Sequence, residues 1–329
     1  MKARLSPWQQ RAWSNLGGSL AAGRLGHAQL LVGQTGLGKL QLATALAQRI
    51  LCTQPLSADG MACTVCRSCR LFVAGTHPDF NPIGIEINEK TGKPRSEILV
   101  EQIRRLSQWF SLTAQFGGAQ VAIIEPACCM KGAAANALLK TLEEPLPGRY
   151  LILITAQPAR LSATIRSRCQ RVELRMPSAD EAREWLLQRA ADTAQIDDAL
   201  TAAEGNPGLA LAYMNDQRLV MRAEVRRDLA ALAAGRERAM SVALRWADES
   251  AKERLRFAAE VARDLGRMQF GQRHDLGLQT AGLTAIGDFP KLAAWFDEAN
   301  RTRELLDAPL RTDLLLCGLL ERWETAMRL

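Results

Sequence analysis

Residues 33–40 read Gly-Gln-Thr-Gly-Leu-Gly-Lys-Leu, after a short apolar run at 29–33 (QLLVG) and before a stretch of helical periodicity. Through Lys39 this matches the phosphate-loop pattern G-x-x-x-x-G-K. Gly33, Gly36 and Gly38 let backbone N–H groups close on phosphate oxygens, and the Lys39 ammonium reaches the terminal phosphates. The next position needs a hydroxyl to hold Mg²⁺, and Leu40 has none. The loop therefore reads in two ways: as a site for ATP, or as a turn that kept its glycines after losing its task. A second deficit bears on turnover. After the apolar run 121–124 (VAII), ATP hydrolysis on such a loop uses Asp-Glu, the first residue for Mg²⁺ and the second to activate water. The chain has Glu125-Pro126. Glu125 keeps a carboxylate, but Pro126 carries no base. Loss of a general base alone slows such reactions ~10²–10⁴-fold. The expectation is a chain without useful ATP turnover of its own.

Four cysteines form a second constellation. Cys52, Cys63, Cys66 and Cys69 are spaced C-x₁₀-C-x₂-C-x₂-C. Four soft thiolates suit tetrahedral Zn²⁺, and two-residue gaps let neighbouring sulfurs converge on one ion. Cys52 ends a predicted helix and can reach back across the long first gap. No ligand position is left open, so the metal reads as structural. His77, in Gly75-Thr76-His77-Pro78-Asp79, reads as a loop hydrogen-bonder and not a ligand. Cys128, Cys129, Cys169 and Cys317 read as small core or interface fillers.

The elements that position these groups follow from hydrophobic patterning. Residues 7–22 form an amphipathic helix opened by Ser6 before Pro7. Helices are also expected at 39–51 and at 98–111, the latter with Ile98, Ile103, Leu106 and Phe110 near one face. Strands are expected at 29–33, 80–85, 121–124, 150–155 (YLILIT) and 170–174. Continuous apolar strands separated by helices predict an α/β domain with a parallel sheet covered on both faces. Past Pro177 the texture changes. Residues 178–191 read as a helix capped by Ser178, with Glu181 completing a capping box. A second helix follows at 197–203; Gly205, Asn206, Pro207 and Gly208 break the pattern; a third begins near 209. From 217 onward only helical periodicity is found, rich in Ala, Leu and Arg. Three parts are therefore expected: residues 1–176 with the cysteine module at about 52–69, a small helical part at 177–216, and an all-helical part at 217–329.

Composition sets bounds. The 329 residues are 47% hydrophobic and 23% charged, ordinary for a chain that buries real cores. The net charge of +7 permits an acidic partner such as nucleic acid, but the basic residues are spread along the chain without a long Lys/Arg block. The longest apolar run, 150–156, is far too short to cross a bilayer, and the N-terminus (MKARLSPWQQ) lacks the apolar core of a signal peptide. No membrane association and a cytoplasmic location are expected, with the thiols reduced unless a metal holds them.

The segment 133–145 (AAANALLKTLEEP), followed by Thr164-Ile165-Arg166-Ser167-Arg168-Cys169, resembles the clamp-loader branch of the AAA+ family. The cysteine cluster followed by Gly-Thr-His-Pro-Asp also fits. These motifs are specific to loader subunits, and the resemblance runs over essentially the whole chain, though its helical C-terminal part matches in pattern only. The resemblance implies a RecA-like AAA+ domain, a helical lid and a helical collar that joins a five-membered ring. It implies that Arg168 projects into the ATP site of a neighbouring subunit, and that Thr155, at the end of its strand, stands where the family's first sensor sits. In a motor subunit a sensing arginine would follow the lid's glycine turn; here that stretch is Gly205-Asn206-Pro207-Gly208-Leu209-Ala210-Leu211. Parts that act in cis are thus eroded at Leu40, Pro126 and Gly208, while the trans-acting Arg168 remains. Among loader subunits the chain looks like the stator, with the motor gamma/tau and the wrench delta as partners, and the sliding clamp and primed DNA reached through the complex. Within 133–145, Leu138, Leu139 and Leu142 read as a buried stripe, and Asn136 and Lys140 as candidates to meet an adjacent subunit or DNA. Two rivals stand beside this reading: an ATP-hydrolysing motor of the same fold, and a zinc-stabilised DNA-binding protein.

Overall fold

The computed structural model describes residues 5–56, 60–116, 118–269, 288–306, 308 and 310–327. The helical expectation for 217–329 includes residues 270–287, which lie outside the described residues. The chain divides into two compact units. One comprises Met1–Trp185 with Asn206–Leu209, the other Leu186–Gly205 with Ala210–Leu329.

Among the described residues, the first unit is built on strands β1 (Ala28–Val32), β2 (Phe80–Ile83), β3 (Gln120–Ile124), β4 (Arg149–Thr155) and β5 (Gln170–Glu173). Every neighbouring pair is parallel, in the order β2-β3-β4-β1-β5. Parallel neighbours need long crossovers, usually helical. The helices are α1 (Pro7–Ala21), α2 (Lys39–Leu51), α3 (Arg67–Val73), α4 (Val100–Ser111), α5 (Gly132–Glu143), α6 (Ala163–Arg168) and α7 (Ala179–Leu187), the last containing the unit boundary. All residues of β1 and β3 are buried, which is why these strands read as unbroken apolar runs. The pleat divides them between two cores. Leu30, Val32, Ala122 and Ile124 meet Ile103 and Leu106 of α4 and Leu138 of α5. Leu31, Val121 and Ile123 meet Trp8 of α1 with Leu42 and Leu46 of α2. This is the expected α/β domain, a parallel sheet covered on both faces.

A parallel sheet gathers the carboxyl ends of its strands along one edge, and that edge is where such folds bind ligands. Here it carries the glycine loop after β1, Glu125 after β3 and Thr155 at the end of β4. Some boundaries differ from the sequence reading. β2 stops at Ile83, α7 stops at Leu187, and the helix expected near 209 begins at Pro207, whose fixed φ suits a first helical turn. The Ser178 cap holds: its hydroxyl accepts from the Glu181 N–H at 3.3 Å, while the Glu181 carboxylate takes both Arg11 nitrogens at 2.7 and 3.0 Å.

The second unit is helical where described. It contains α8 (Ile196–Ala202), most of α9 (Pro207–Asn215), α10 (Arg218–Ala233), α11 (Ala239–Trp246), α12 (Ala251–Gln269), α13 (Phe289–Leu305) and α14 (Thr312–Met327). Its tryptophans act as anchors, each with its indole N–H satisfied. Trp246 donates to Asp228 at 2.8 Å, Trp323 to the Leu229 carbonyl at 2.9 Å and Trp295 to the Leu319 carbonyl at 2.8 Å. A buried ion cluster ties α8, α10 and α12. Arg222, only 1% exposed, bonds Asp198 and Glu260. Burial pushes the Glu260 carboxyl up, against the pull of Arg222.

Removing one partner of a buried pair leaves the other charged and unsolvated, at a cost of about 3–5 kcal/mol. Arg222→Ala is expected to lower stability by about that amount in urea denaturation followed by tryptophan fluorescence. An unchanged midpoint would mean that the cluster contributes nothing to the helical unit.

Candidate functional site

The glycine loop is held by side chains from both ends of its unit. Ser6 and Gln9 form a capping box at the start of α1. This sets Trp8 and Gln9 against the loop: the Trp8 indole N–H donates to the Leu37 carbonyl at 3.0 Å, and the Gln9 amide to the Gly38 carbonyl at 2.7 Å. From the other side, fully buried Asn206 donates to the Thr35 carbonyl at 2.7 Å and accepts from the Leu209 N–H at 3.1 Å. The Lys39 ammonium, on a side chain that is largely buried, donates to the Gln34 carbonyl at 2.8 Å. The loop's outward carbonyls are thus met by protein donors.

Beside the loop lies a cleft of about 650 Å³, lined among others by Lys39, Leu40, Glu125, Pro126 and Thr155. Of the residues singled out in the sequence, Gly36, Gly38, Lys39 and Thr155 line this one cleft. Burial lowers the Lys39 ammonium, opposed by Glu125; burial raises the Glu125 carboxyl, opposed by Lys39. Leu40 is 48% exposed and offers the cleft only carbon. Buried Thr155 accepts the Gln157 N–H on its hydroxyl oxygen at 2.9 Å. The geometry can receive phosphate oxygens, but it supplies neither a hydroxyl at 40 nor a base at 126.

Position 208 has a steric reason for its residue. A Cβ on Gly208 would fall on the Gly36 carbonyl, and a Cβ on Gly36 would come within 2.8 Å of the Asn206 side-chain oxygen. Gly36 also has φ +91°, a conformation L side chains rarely adopt. The two backbones meet because neither bears a side chain. No arginine can stand at 208 without separating them.

Arg168 ends α6, away from that cleft's lining. Its Nη2 pairs with Glu143 Oε1 of α5 at 2.7 Å, and its Nη1 donates to the Thr164 carbonyl at 3.1 Å. The flanking residues have separate tasks. The Ser167 hydroxyl donates to the same Thr164 carbonyl at 3.1 Å. Cys169 is buried in the core, and burial alone pushes its thiol up to about 11, so it stays neutral. One side chain anchors the helix end, one closes its last turn, and the arginine between them remains 36% exposed. On α5, Leu138 and Leu142 are buried as expected, Leu139 is only half-buried, and Asn136 and Lys140 are exposed.

The cysteine module is closed. The sulfurs of Cys52, Cys63, Cys66 and Cys69 lie within 4.8 Å of one another, and all four residues are buried. Ligands at a Zn–S distance of ~2.3 Å would be roughly 3.8 Å apart in a tetrahedron, and the Cys63 and Cys69 sulfurs stand 4.0 Å apart. Backbone N–H groups already point at three sulfurs: Cys63 to Cys52 and Cys66 to Cys63, each at 3.3 Å, and Cys69 to Cys66 at 3.4 Å. Burial raises the Cys66 thiol, but hydrogen bonds from Thr53 and Cys69 outweigh it and bring it down to about 6. The Cys66 N–H lowers Cys63, while burial raises both Cys52 and Cys69. Two thiols are driven toward thiolate and two away from it. A bound cation resolves that conflict by taking all four as thiolates. The donor set fits a metal ion.

Sequence reading missed α3, which carries Cys69, and the bonds that fasten it. Cys66 caps the helix, and buried Ser68 on it donates to the Leu51 carbonyl at 2.6 Å. His77 meets Ser68 through Nε2 at 2.9 Å and accepts the Asp79 N–H on Nδ1 at 3.1 Å. Nδ1 is therefore the acceptor, Nε2 carries the proton, and burial holds the ring neutral by lowering its pKa. The Asp79 carboxylate turns elsewhere, accepting the N–H groups of Gln115 and Phe116 at 2.9 and 3.0 Å. Ser, His and Asp here form a structural strut, not a nucleophilic triad. The expected role of His77 as a loop hydrogen-bonder is what the geometry gives.

Known proteins can now be set beside this site. The family profile described as "DNA polymerase III, delta subunit" matches residues 8–178. The DNA polymerase III subunit delta' of Pseudomonas aeruginosa is 42% identical over 62% of this chain, a match that covers 60% of that relative. The Escherichia coli subunit delta' is 34% identical over 86% of this chain and 82% of its own length. The Yersinia pestis subunit delta' is 33% identical over 98% of this chain and 96% of its own. With the glycine loop, the four-cysteine module and the Ser167-Arg168-Cys169 helix end all inside or beside the matched span, the chain belongs to the DNA polymerase III subunit delta' family.

Proposed function

We propose that this chain is the stator of a DNA polymerase III clamp loader and that it supplies Arg168 in trans to the ATP site of a neighbouring gamma/tau subunit. The carrying observation is an asymmetry. Arg168 stands half-exposed at an anchored helix end. The chain's own cleft presents Leu40 and Pro126, and Gly208 abuts Gly36 where a sensing arginine would need room. A fixed guanidinium beside the γ-phosphate stabilises charge that develops in the transition state, typically by ~10³–10⁵ in rate. The finger serves a phosphate bound elsewhere.

In this reading residues 1–176 form the RecA-like domain, 177–216 a lid and 217–329 a collar that assembles with gamma/tau and delta. The complex opens the sliding clamp and closes it on primed DNA during replication, in the cytoplasm. No helix among the described residues is long and apolar enough to cross a membrane. Lys39, Gly33, Gly36, Gly38 and Thr155 would hold ATP phosphates without turning them over. The cysteines hold structural Zn²⁺, which stiffens the module through four thiolates and takes no part in the chemistry.

Two outcomes are expected. In a reconstituted loader that still assembles, Arg168→Ala lowers clamp- and DNA-stimulated ATP turnover about a hundredfold or more, and Arg168→Lys recovers only part of it. An unchanged rate would reduce the chain to a scaffold. Metal analysis of protein prepared without chelators finds about one zinc per chain, lost in Cys69→Ser together with a fall in melting temperature. Zinc-free, equally stable wild-type protein would remove the metal assignment.

A further inference from the structure

The Arg168 guanidinium is restrained from two different elements. Glu143, in the last turn of α5, takes one terminal nitrogen at 2.7 Å, and the Thr164 carbonyl of α6 takes the other at 3.1 Å. Two bonds on two nitrogens of a planar group favour one plane and one direction for it without locking either. A guanidinium has five N–H donors in a fixed fork, so donors remain for phosphate oxygens. The place of Glu143 adds a second argument. The end of a helix carries partial negative charge, which disfavours a carboxylate there. Nothing in the local structure of α5 calls for Glu143 in its last turn. The carboxylate gains by meeting a cation, and the cation it meets is Arg168.

We propose that Glu143 is a positioning residue for Arg168, holding the guanidinium so that its unused edge faces a neighbouring subunit's nucleotide. This rests on the trans-acting role of Arg168. The pair is half-exposed, with side-chain exposures of 36% for Arg168 and 49% for Glu143. Exposed ion pairs order a side chain without locking it. The finger can therefore adjust when phosphate arrives, and loss of Glu143 has a moderate effect, far below loss of the arginine. The contribution is to orientation, so it falls on kcat and leaves KM for ATP nearly untouched.

The test is ATP turnover by the reconstituted loader carrying Glu143→Ala, Glu143→Gln, Arg168→Ala or the Glu143→Ala/Arg168→Ala double substitution. Assembly and melting temperature are checked for each. Glu143→Ala is expected to lower kcat about threefold to fivefold with KM unchanged. Glu143→Gln, whose amide oxygen still accepts from Nη2, keeps most of the rate. The double variant turns over no more slowly than Arg168→Ala alone, because Glu143 acts only through the arginine. An unaffected kcat in Glu143→Ala overturns the proposal, as does a double variant whose losses multiply. If Arg168→Ala itself leaves turnover unchanged, the trans-finger reading fails first and this inference falls with it.

Discussion

The backbone of Gly208 lies directly against the carbonyl of Gly36, and the shape of the glycine loop depends on that contact. A side chain at 208 would fall on that carbonyl, and one at 36 would meet Asn206 and Leu209. The contact lets buried Asn206 reach the Thr35 carbonyl, and it sets the first turn of α9 beside the phosphate loop. Trp8 and Gln9 brace the same loop from α1. The carbonyls of Gln34, Thr35, Leu37 and Gly38 are satisfied by protein donors. The position that could have carried a sensing cation is spent on packing. Leu40 and Pro126 line the same cleft, which keeps Lys39, Glu125 and Thr155 but has no side-chain oxygen at 40 and no base at 126.

The groups that would act outside the chain are prepared differently. Arg168 is set by a buried thiol behind it, a serine that closes its turn, and a carboxylate from the adjoining helix. The cysteine module is likewise fastened to the domain, since Ser68 on α3 binds the end of α2 and His77 before β2. A buried four-cysteine cluster and a neutral histidine bonded through both ring nitrogens tie the insert down. Rigidity of this kind suits a part that presents a group to a neighbour better than one that must open and close around its own substrate.

What the sequence disclosed followed from short-range rules. The parallel sheet was legible because β1 and β3 are buried on both faces and so lack polar alternation. The cysteine spacing and the glycine loop were legible because their chemistry fixes residue types at fixed offsets. The hidden features are tertiary or too short to show a period. Helix α3 spans seven residues, too few to establish helical periodicity. Trp8 and Gln9 look like ordinary amphipathic residues until α1 meets the loop. Glu143 looks like a solvated helix end until α6 brings Arg168 to it. Nothing in the sequence pattern sets Arg222 or the tryptophans of the helical unit apart. Only the packing of α8, α10, α12 and α14 turns them into the fixtures of the helical unit. The glycine at 208 was read as a missing arginine, and the structure supplies the reason: there is no room for one.

In the proposed stator, the chain's own phosphate loop is dispensable for turnover and Arg168 is not. The ATPase rate of the assembled loader carrying Lys39→Met, which keeps the buried stem of the side chain and removes its charge, separates the two. A rate within about twofold of wild type is expected, since a change below ~0.4 kcal/mol is all that a non-hydrolysing site should pass to the complex. A loss of tenfold or more, with assembly intact, would mean that the cleft beside Lys39 turns over ATP and that the chain is a motor.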